Sequence, residues 1–271
     1  MTWRADLEQG NEAFKIRWDI VPYTRGNVLD LGSDGCSPYP HFTGVDLPGV
    51  RLNPNNRPVS VRADCSRPMP MFGDCSWDAV FSSHLLEHIG DWKAALREWW
   101  RLVRIGGFLV LYLPHKLHYP NIGSVGANPD HKHDFMSGDI LREMMTIGCF
   151  VLVEDEVRDQ GDEYSFFQVY RKRLDNMMSD FVKKRPKKTC AVFRAGAFGD
   201  MIQASSVIKA LHDEGYAVTL YTAPRGYEII RHDPHIARVF LLDEDQIPNH
   251  HLHDYWAYLS TRYTRFVNLS G

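Results

Sequence analysis

The sequence predicts an α/β protein with a doubly wound, mostly parallel sheet, followed by a second, partial α/β unit. Two observations predict it. Short apolar runs alternate with helical segments over residues 28–173, and the same alternation begins afresh after a basic stretch that contains Pro186. Strands of a parallel sheet are buried on both faces, so they appear in a sequence as continuous apolar runs.

The first unit is predicted to hold five parallel strands and a closing antiparallel hairpin. A helix is expected over Asp91–Arg104, because six apolar side chains recur there at helical spacing; Asp91 suits its start and Gly106-Gly107 its end. A second helix is expected from a Ser137 cap to Gly148, and a turn at residues 159–162 joins the hairpin strands. The expected strands are Val28–Gly32, Thr43–Leu47, Val59–Asp64, Trp77–His84, Gly107–Pro114, Phe150–Val157 and Ser165–Arg173.

The chain is predicted to form two domains, residues 1–173 and 189–271, joined by a basic linker at residues 174–188. A cluster of lysine and arginine can bind nucleic acid, but we interpret this one as a solvated connector. A strand–loop–helix–strand order follows the linker. Its expected elements are Thr189–Arg194, Ile202–Asp213 and Tyr216–Thr222, with further strands at Val239–Leu242 and Arg265–Leu269.

Composition restricts the classes of partner. The 271 residues are 44% hydrophobic and carry a net charge of −3, so no electrostatic argument favours a specific nucleic acid or an anionic membrane. No apolar run is long enough to span a bilayer, and the N-terminus does not resemble a signal peptide. The five cysteines never form a CxxC pair. They predict reduced thiols and a cytoplasmic protein.

Acidic residues end three consecutive predicted strands, where the carboxyl ends of parallel strands form a ligand crevice. Carboxylates at this position can accept hydrogen bonds from ribose hydroxyls and an adenine amine, whereas a dinucleotide would need amide donors for its pyrophosphate. Each of these acids alone is also a common turn residue, but the ordered set favours S-adenosylmethionine over NAD. The set comprises Asp30 with Gly32 and Gly35, then Asp46, then Asp64 with Cys65.

Five motifs carry a resemblance to a known family: Val28–Gly35, Gly44–Asp46, Ser82–His88, Arg101–Gly107 and Asn128–Phe135. Together they resemble the class I S-adenosylmethionine-dependent methyltransferases of Rossmann-like fold, in particular a subgroup encoded with surface-glycan enzymes. The resemblance implies a glycan or sugar-linked acceptor in a bacterial or phage setting. The cofactor contacts that it implies are Asp30 and Gly32 to the methionine end, Asp46 to the ribose, Asp64 and Cys65 to the adenine, and Ser82 and His84 to the sulfonium side.

The glycine-rich loop departs from the family pattern. Asp34 and Cys36 stand where glycine is usual, and Pro38 and Pro40 leave room only for a tight loop instead of the usual helix. The cofactor has no phosphate, so its binding does not depend on that helix. The alternative is a non-catalytic binding or assembly protein that retains a degenerate pocket.

The methyl acceptor site is predicted from histidines that follow the fourth and fifth strands. A hydroxyl acceptor needs a base, and His115 or His118 is the candidate, with a polar loop or capping role as the alternative. His131 and His133 are interpreted as part of a loop over the acceptor pocket, and no metal site is predicted. The Asn-Pro-Pro-Tyr type of motif is absent from the sequence, which argues against methylation of nucleic-acid bases.

Three further motifs occur in the second unit: Ala191–Ile202 with its Phe-Gly-Asp loop, His232–His235 and Phe266–Gly271. They resemble the first lobe of the ADP-heptose:lipopolysaccharide heptosyltransferases, which have two-lobed GT-B folds. The resemblance implies that Asp200 is the base that deprotonates an acceptor sugar; a helix N-cap is its simpler role. Residues 189–271 correspond to part of one lobe, so we expect no sugar transfer by this chain alone. We also expect this unit to associate with itself or with a protein partner.

Overall fold

The computed structural model describes residues 12–47, 59–174, 188–196, 198–242, 246–247 and 249–270. It divides into two compact units, Met1–Lys183 and Lys184–Gly271. This division falls within the predicted linker, of which residues 175–187 lie outside the described residues. No helix among the described residues combines the length and the hydropathy needed to cross a bilayer.

The strands of the first unit are β1 Val28–Leu31, β2 Phe42–Asp46, β3 Val61–Arg62, β4 Trp77–Ser83, β5 Val103–Pro114, β6 Phe150–Arg158 and β7 Ser165–Lys172. They form one sheet in the order β3-β2-β1-β4-β5-β7-β6. Strands β1 to β5 are parallel, and β7 runs antiparallel to both β5 and β6. The predicted mixed sheet with its antiparallel hairpin is confirmed. Strand order reverses at the β1–β4 pair, where such sheets bind ligands.

The helices of the first unit are α1 Glu12–Lys15, α2 Arg17–Ile20, α3 Trp92–Leu102 and α4 Ser137–Ile147. Helix α3 begins as predicted, because the Asp91 carboxylate accepts a hydrogen bond from the Ala94 amide at 3.1 Å. Helix α4 begins one residue earlier than expected. Its N-cap is Met136, whose amide donates to the Asp139 carboxylate at 3.0 Å.

The end of α3 and the length of β3 also differ from the prediction. Helix α3 ends at Leu102 instead of Arg104, because Val103 already pairs with Trp77 in the sheet. Gly106 and Gly107 lie in an irregular part of β5, and a Cβ on Gly107 would stand 2.6 Å from the Asp78 carbonyl oxygen. Strand β3 is shorter than predicted and pairs with β2 at only two positions.

The connection between β1 and β2 contains turns and bends but no helix in residues 32–41. This confirms the tight loop predicted from Pro38 and Pro40. The loop packs Tyr39 into the interior, where its hydroxyl donates to the Arg17 carbonyl at 2.5 Å. A well-packed loop therefore replaces the missing helix.

The core of the first unit lies between the sheet and helices α3 and α4. Trp99 is fully buried and donates its indole N–H to the Cys65 carbonyl at 2.9 Å, which ties α3 to the segment after β3. Leu96 of α3 and Ile140 of α4 are also fully buried against the sheet. These contacts hold the carboxyl ends of the strands at one edge.

The second unit is a four-stranded parallel sheet with three helices. Its elements are β8 Thr189–Phe193, α5 Phe198–Asp213, β9 Ala217–Thr222, α6 Pro224–Ile230, β10 Ile236–Leu241, α7 Leu252–Arg262 and β11 Arg265–Asn268. The strand order is β10-β9-β8-β11. Helix α5 begins earlier than predicted, so Asp200 lies within its first turn and is not its N-cap. Helices α6 and α7 were not predicted.

Candidate active site at the strand ends

A left-handed turn follows β1. Gly32 has a φ of +74°, and a Cβ there would stand 2.9 Å from a methyl carbon of Leu85, so this position favours glycine strongly. The Gly32 amide donates to the Val45 carbonyl at 2.9 Å, which ties the end of β1 to β2. Gly35 also has a positive φ, of +70°. The turn brings backbone close to the crevice, as the predicted cofactor site requires.

Asp46 ends β2 beside this turn. Its two carboxylate oxygens accept the amides of Asp34 and Leu47, both at 2.7 Å. A carboxylate oxygen can accept a second hydrogen bond, and Asp46 is only partly buried. The side chain is therefore held rigidly and can still accept bonds from two ribose hydroxyls.

Asp30 lies beneath the turn rather than at its surface. Only 3% of the residue is exposed. Burial raises its pKa to about 7, a hydrogen bond with Ser37 opposes the rise, and the nearby Asp46 charge adds to it. Asp30 thus anchors the loop through Ser37, and its predicted contact with the methionine end of the cofactor stays a prediction.

Asp64 and Cys65 follow β3. The Asp64 carboxylate accepts the Ser66 amide at 2.9 Å, the Ser66 hydroxyl at 2.6 Å and the Arg67 guanidinium at 3.1 Å. These bonds lower the pKa of Asp64, and they occupy its carboxylate with partners from its own turn. Cys65 is buried, and burial raises the pKa of its thiol to about 12. The adenine contact predicted for Asp64 would require its carboxylate to exchange one of these partners.

Ser82 and His84 end β4. The Ser82 hydroxyl is fully buried and donates to the Leu31 carbonyl at 3.1 Å, so it joins β4 to β1 instead of facing a ligand. His84 has a φ of +49° and its Nε2 lies 2.9 Å from the Ser165 hydroxyl. Burial, followed by the charge of Lys15, lowers the pKa of His84 to about 3. His84 is therefore a neutral ring and a poor base.

The two histidines predicted as bases lie together after β5. Their ring centroids are 4.9 Å apart. His115 is buried, its Nδ1 accepts the Leu117 amide at 3.3 Å, and burial lowers its pKa. His118 is more accessible, with 31% of its side chain exposed, and its Nε2 lies 4.0 Å from the Asp159 carboxylate. Of the two, His118 has the geometry of a base.

Aromatic and acidic side chains that the sequence analysis did not single out adjoin these histidines. The Tyr164 hydroxyl donates to Glu12 at 2.8 Å, and its ring lies 4.9 Å from Tyr119 and 5.7 Å from His84. Burial and Glu12 raise the pKa of Tyr164 above its usual range. No local pattern marks Glu12 or Tyr164, because they meet only in the folded chain. We define the acceptor rim as Glu12, His84, His115, His118, Tyr119 and Tyr164.

Residues 33–111 match the family model described as a methyltransferase domain. They belong to an S-adenosylmethionine-dependent methyltransferase domain. The cofactor of this domain is S-adenosylmethionine, and the turn at Gly32 together with the strand-end Asp46 fits it. The match begins at Ser33, directly after β1, and ends at Leu111 of β5, so it includes β2, β3 and β4.

Several solved structures are similar to the methyltransferase domain. An S-adenosylmethionine-dependent methyltransferase from Mesorhizobium loti is 17% identical, with a TM-score of 0.48, over 60% of this chain and 99% of that chain. A methyltransferase from Aquifex aeolicus is 11% identical, with a TM-score of 0.42, over 62% and 98%. The 1,6-didemethyltoxoflavin-N1-methyltransferase of Burkholderia thailandensis, with bound S-adenosylhomocysteine, is 17% identical, with a TM-score of 0.45, over 62% and 81%. No curated protein matches the sequence.

In the second unit, Asp200 faces the loop that follows β8. Its carboxylate forms an ion pair with Arg194 at 2.5 Å. Gly196 lies against this carboxylate, and a Cβ at Gly196 would collide with it. The glycine therefore lets the first turn of α5 fold back closely onto the loop.

Proposed function

We propose that the methyltransferase domain methylates a hydroxyl group of a glycan or sugar-linked acceptor. S-adenosylmethionine supplies the methyl group on a sulfonium. The acceptor oxygen takes the methyl group as its O–H bond breaks, and the thioether of S-adenosylhomocysteine is left. The observation that carries the proposal is the pairing of an accessible His118 with Asp159 on the acceptor rim.

His118 is the proposed base. Its Nδ1 can accept the hydroxyl proton, while its Nε2 faces the Asp159 carboxylate at 4.0 Å. His115 is less suited, since its Nδ1 lone pair already accepts the Leu117 amide. His84 is less suited because burial holds it neutral far below physiological pH. In this proposal His115 positions the His118 ring by packing against it.

The chemistry of the rim supports a polyhydroxylated, uncharged acceptor. Tyr119 and Tyr164 offer ring faces beside hydroxyl groups, and the Glu12 carboxylate, whose Oε2 forms an ion pair with Lys15 at 3.1 Å, accepts the Tyr164 hydroxyl. Such a carboxylate oxygen can accept a hydrogen bond from an acceptor hydroxyl. The resemblance of the sequence to glycan-associated methyltransferases points to the same class of acceptor.

The test is a methyl-transfer assay with the whole chain and S-adenosylmethionine. Parallel reactions contain oligosaccharides, nucleotide sugars, phenols or amines, and mass spectrometry identifies the methylated product. His118→Gln should lower kcat about 10²–10⁴-fold and leave cofactor affinity unchanged, whereas His250→Gln, at a histidine of the second unit, should retain full activity. Transfer only to amines or phenols, or full activity of His118→Gln, would contradict the proposal. Cofactor binding without any transfer would favour the assembly role.

We also propose that the second unit binds a sugar-containing ligand, as a lobe related to the heptosyltransferases. Its supporting features are the parallel sheet and the close turn from β8 into α5 that places Asp200 beside Arg194. Calorimetry with ADP-sugars and lipopolysaccharide core sugars tests this. Binding that weakens in Asp200→Asn supports the proposal, and no binding of either ligand class contradicts it.

A further inference from the structure

The first unit contains a buried carboxylate that has no hydrogen-bond partner among the described residues. Glu87 lies in the 3₁₀ turn Leu86–His88 after β4 and is fully inaccessible to solvent. Neither of its carboxylate oxygens has a hydrogen-bond partner among the described residues. A buried polar group in this state is costly unless something satisfies it.

Histidine nitrogens surround one oxygen of this carboxylate. His88 Nε2, His131 Nε2 and His84 Nδ1 each lie 3.8 Å from Glu87 Oε1. That separation is too long for a hydrogen bond. It suits atoms that share a cation, because ligands about 2.0–2.1 Å from a zinc ion stand about 3.3–4 Å from each other. The ligand atoms of Glu87, His88 and His131 all lie within 4.8 Å of one another.

A hydrogen bond orients His88 as a ligand. His88 Nδ1 lies 3.2 Å from the Asp130 carbonyl, so this nitrogen carries the proton and the Nε2 lone pair faces Glu87.

The loop that carries His131 is fastened to the turn that carries Glu87. The backbone carbonyl of Glu87 accepts the amides of Lys132 at 2.8 Å and His133 at 3.2 Å. Residues far apart in sequence are thus held together by backbone bonds that do not involve the carboxylate. The Tyr119 ring packs 5.2 Å from the His131 ring and links this cluster to the acceptor rim.

We propose that Glu87, His88 and His131 bind a divalent transition-metal ion, with zinc as the best fit. Two imidazoles and one carboxylate form the ligand set of open zinc sites, which leave a fourth position for water or substrate. This differs from the sequence analysis, which predicted no metal and paired His131 with His133. Metal binding does not depend on the nature of the acceptor; only its use in methyl transfer rests on the proposed function.

The test measures metal binding directly. The whole chain is stripped with a chelator, and zinc and cobalt(II) are then titrated by calorimetry and by the visible absorption of cobalt. We expect one ion per chain and a rise in Tm on addition of zinc. Glu87→Gln and His131→Ala should weaken binding by more than about a hundredfold.

Matched controls separate this site from other histidines. His133→Ala removes the neighbouring loop histidine, and His250→Ala removes a histidine from the turn just before α7. Both variants should bind one metal ion per chain, as the wild type does. No stoichiometric binding by the wild type would overturn the proposal, as would equal affinity in Glu87→Gln. Loss of binding in His250→Ala alone would also overturn it. Because the stoichiometry and the Tm of the wild type are measured, an unstable variant does not leave the proposal untested. These readouts do not involve methyl transfer, so they fail or succeed independently of the proposed activity.

Discussion

Replacing Glu87 with glutamine should change how the stability of the first unit depends on pH. The pKa of Glu87 rises from 4.5 to about 8 on folding. Between these values the folded chain retains a proton that the unfolded chain releases, so this group stabilises the fold fully below pH 4.5 and loses that contribution as pH rises to 8. A shift of this size corresponds to at most about 5 kcal/mol at complete ionisation, at about 1.4 kcal/mol per unit.

Glutamine has nearly the same shape and does not ionise. The free energy of unfolding of Glu87→Gln, relative to the wild type, should therefore increase from pH 5 to pH 8, by up to about 1.4 kcal/mol per pH unit. Urea denaturation at pH 5, 6, 7 and 8, with a chelator present, measures this difference. The changes from Asp30 and His84 are common to both proteins and cancel.

The control is Glu228→Gln, at an exposed glutamate of the second unit that pairs with Arg231. It should follow the wild-type pH dependence. Parallel curves for the wild type and Glu87→Gln would refute the argument, because they would mean that Glu87 has the same proton affinity in the folded and unfolded chains.

Three other substitutions test the site. Asp46→Ala should weaken S-adenosylmethionine binding by about 1.5–3 kcal/mol, through loss of hydrogen bonds to a charged acceptor; calorimetry that gives equal affinity would contradict this. Gly32→Ala should lower the free energy of unfolding by about 1–3 kcal/mol, because of its positive φ and its contact with Leu85; urea denaturation measures it, and an unchanged midpoint would argue against strain. Tyr164→Phe removes the bond to Glu12 and should raise the acceptor KM about fivefold at unchanged cofactor affinity; steady-state kinetics would show an unaltered KM if the rim does not bind acceptor.

Local signals in the sequence were sufficient where the structure itself is local. Strands β1 and β4 are buried apolar runs, and Asp91 caps α3 through a bond to an amide three residues away. The end of α3 could not be predicted in the same way. Val103 leaves the helix because it pairs with Trp77, and nothing in the neighbouring residues encodes that partner.

The residues of the candidate site also fall into two groups, those that local sequence signals reveal and those that meet only in the folded chain. The acids at the strand ends could be found because strand ends share one edge of a parallel sheet. The Tyr164–Glu12 bond joins residues 152 positions apart, so no spacing rule reveals it. Glu87 belongs to a Leu-Glu-His motif that the sequence analysis identified. Its burial, however, depends on the loop that carries His131, and the sequence did not predict that this loop packs against Glu87.

The loop after β1 bears most directly on whether the pocket can work. Asp34 replaces a usual glycine and keeps a left-handed backbone, with a φ of +43°, which aspartate tolerates better than most residues. Its amide holds Asp46 in place at 2.7 Å, so the substitution preserves the bond that positions the proposed ribose contact. Asp34 and Asp46 also repel each other, since the Asp46 charge helps to raise the pKa of Asp34. A cationic ligand relieves that repulsion and an anionic one increases it. The unusual loop still holds the strand-end carboxylate in the position that the proposed ribose contact needs, so the missing glycine does not by itself make the pocket degenerate.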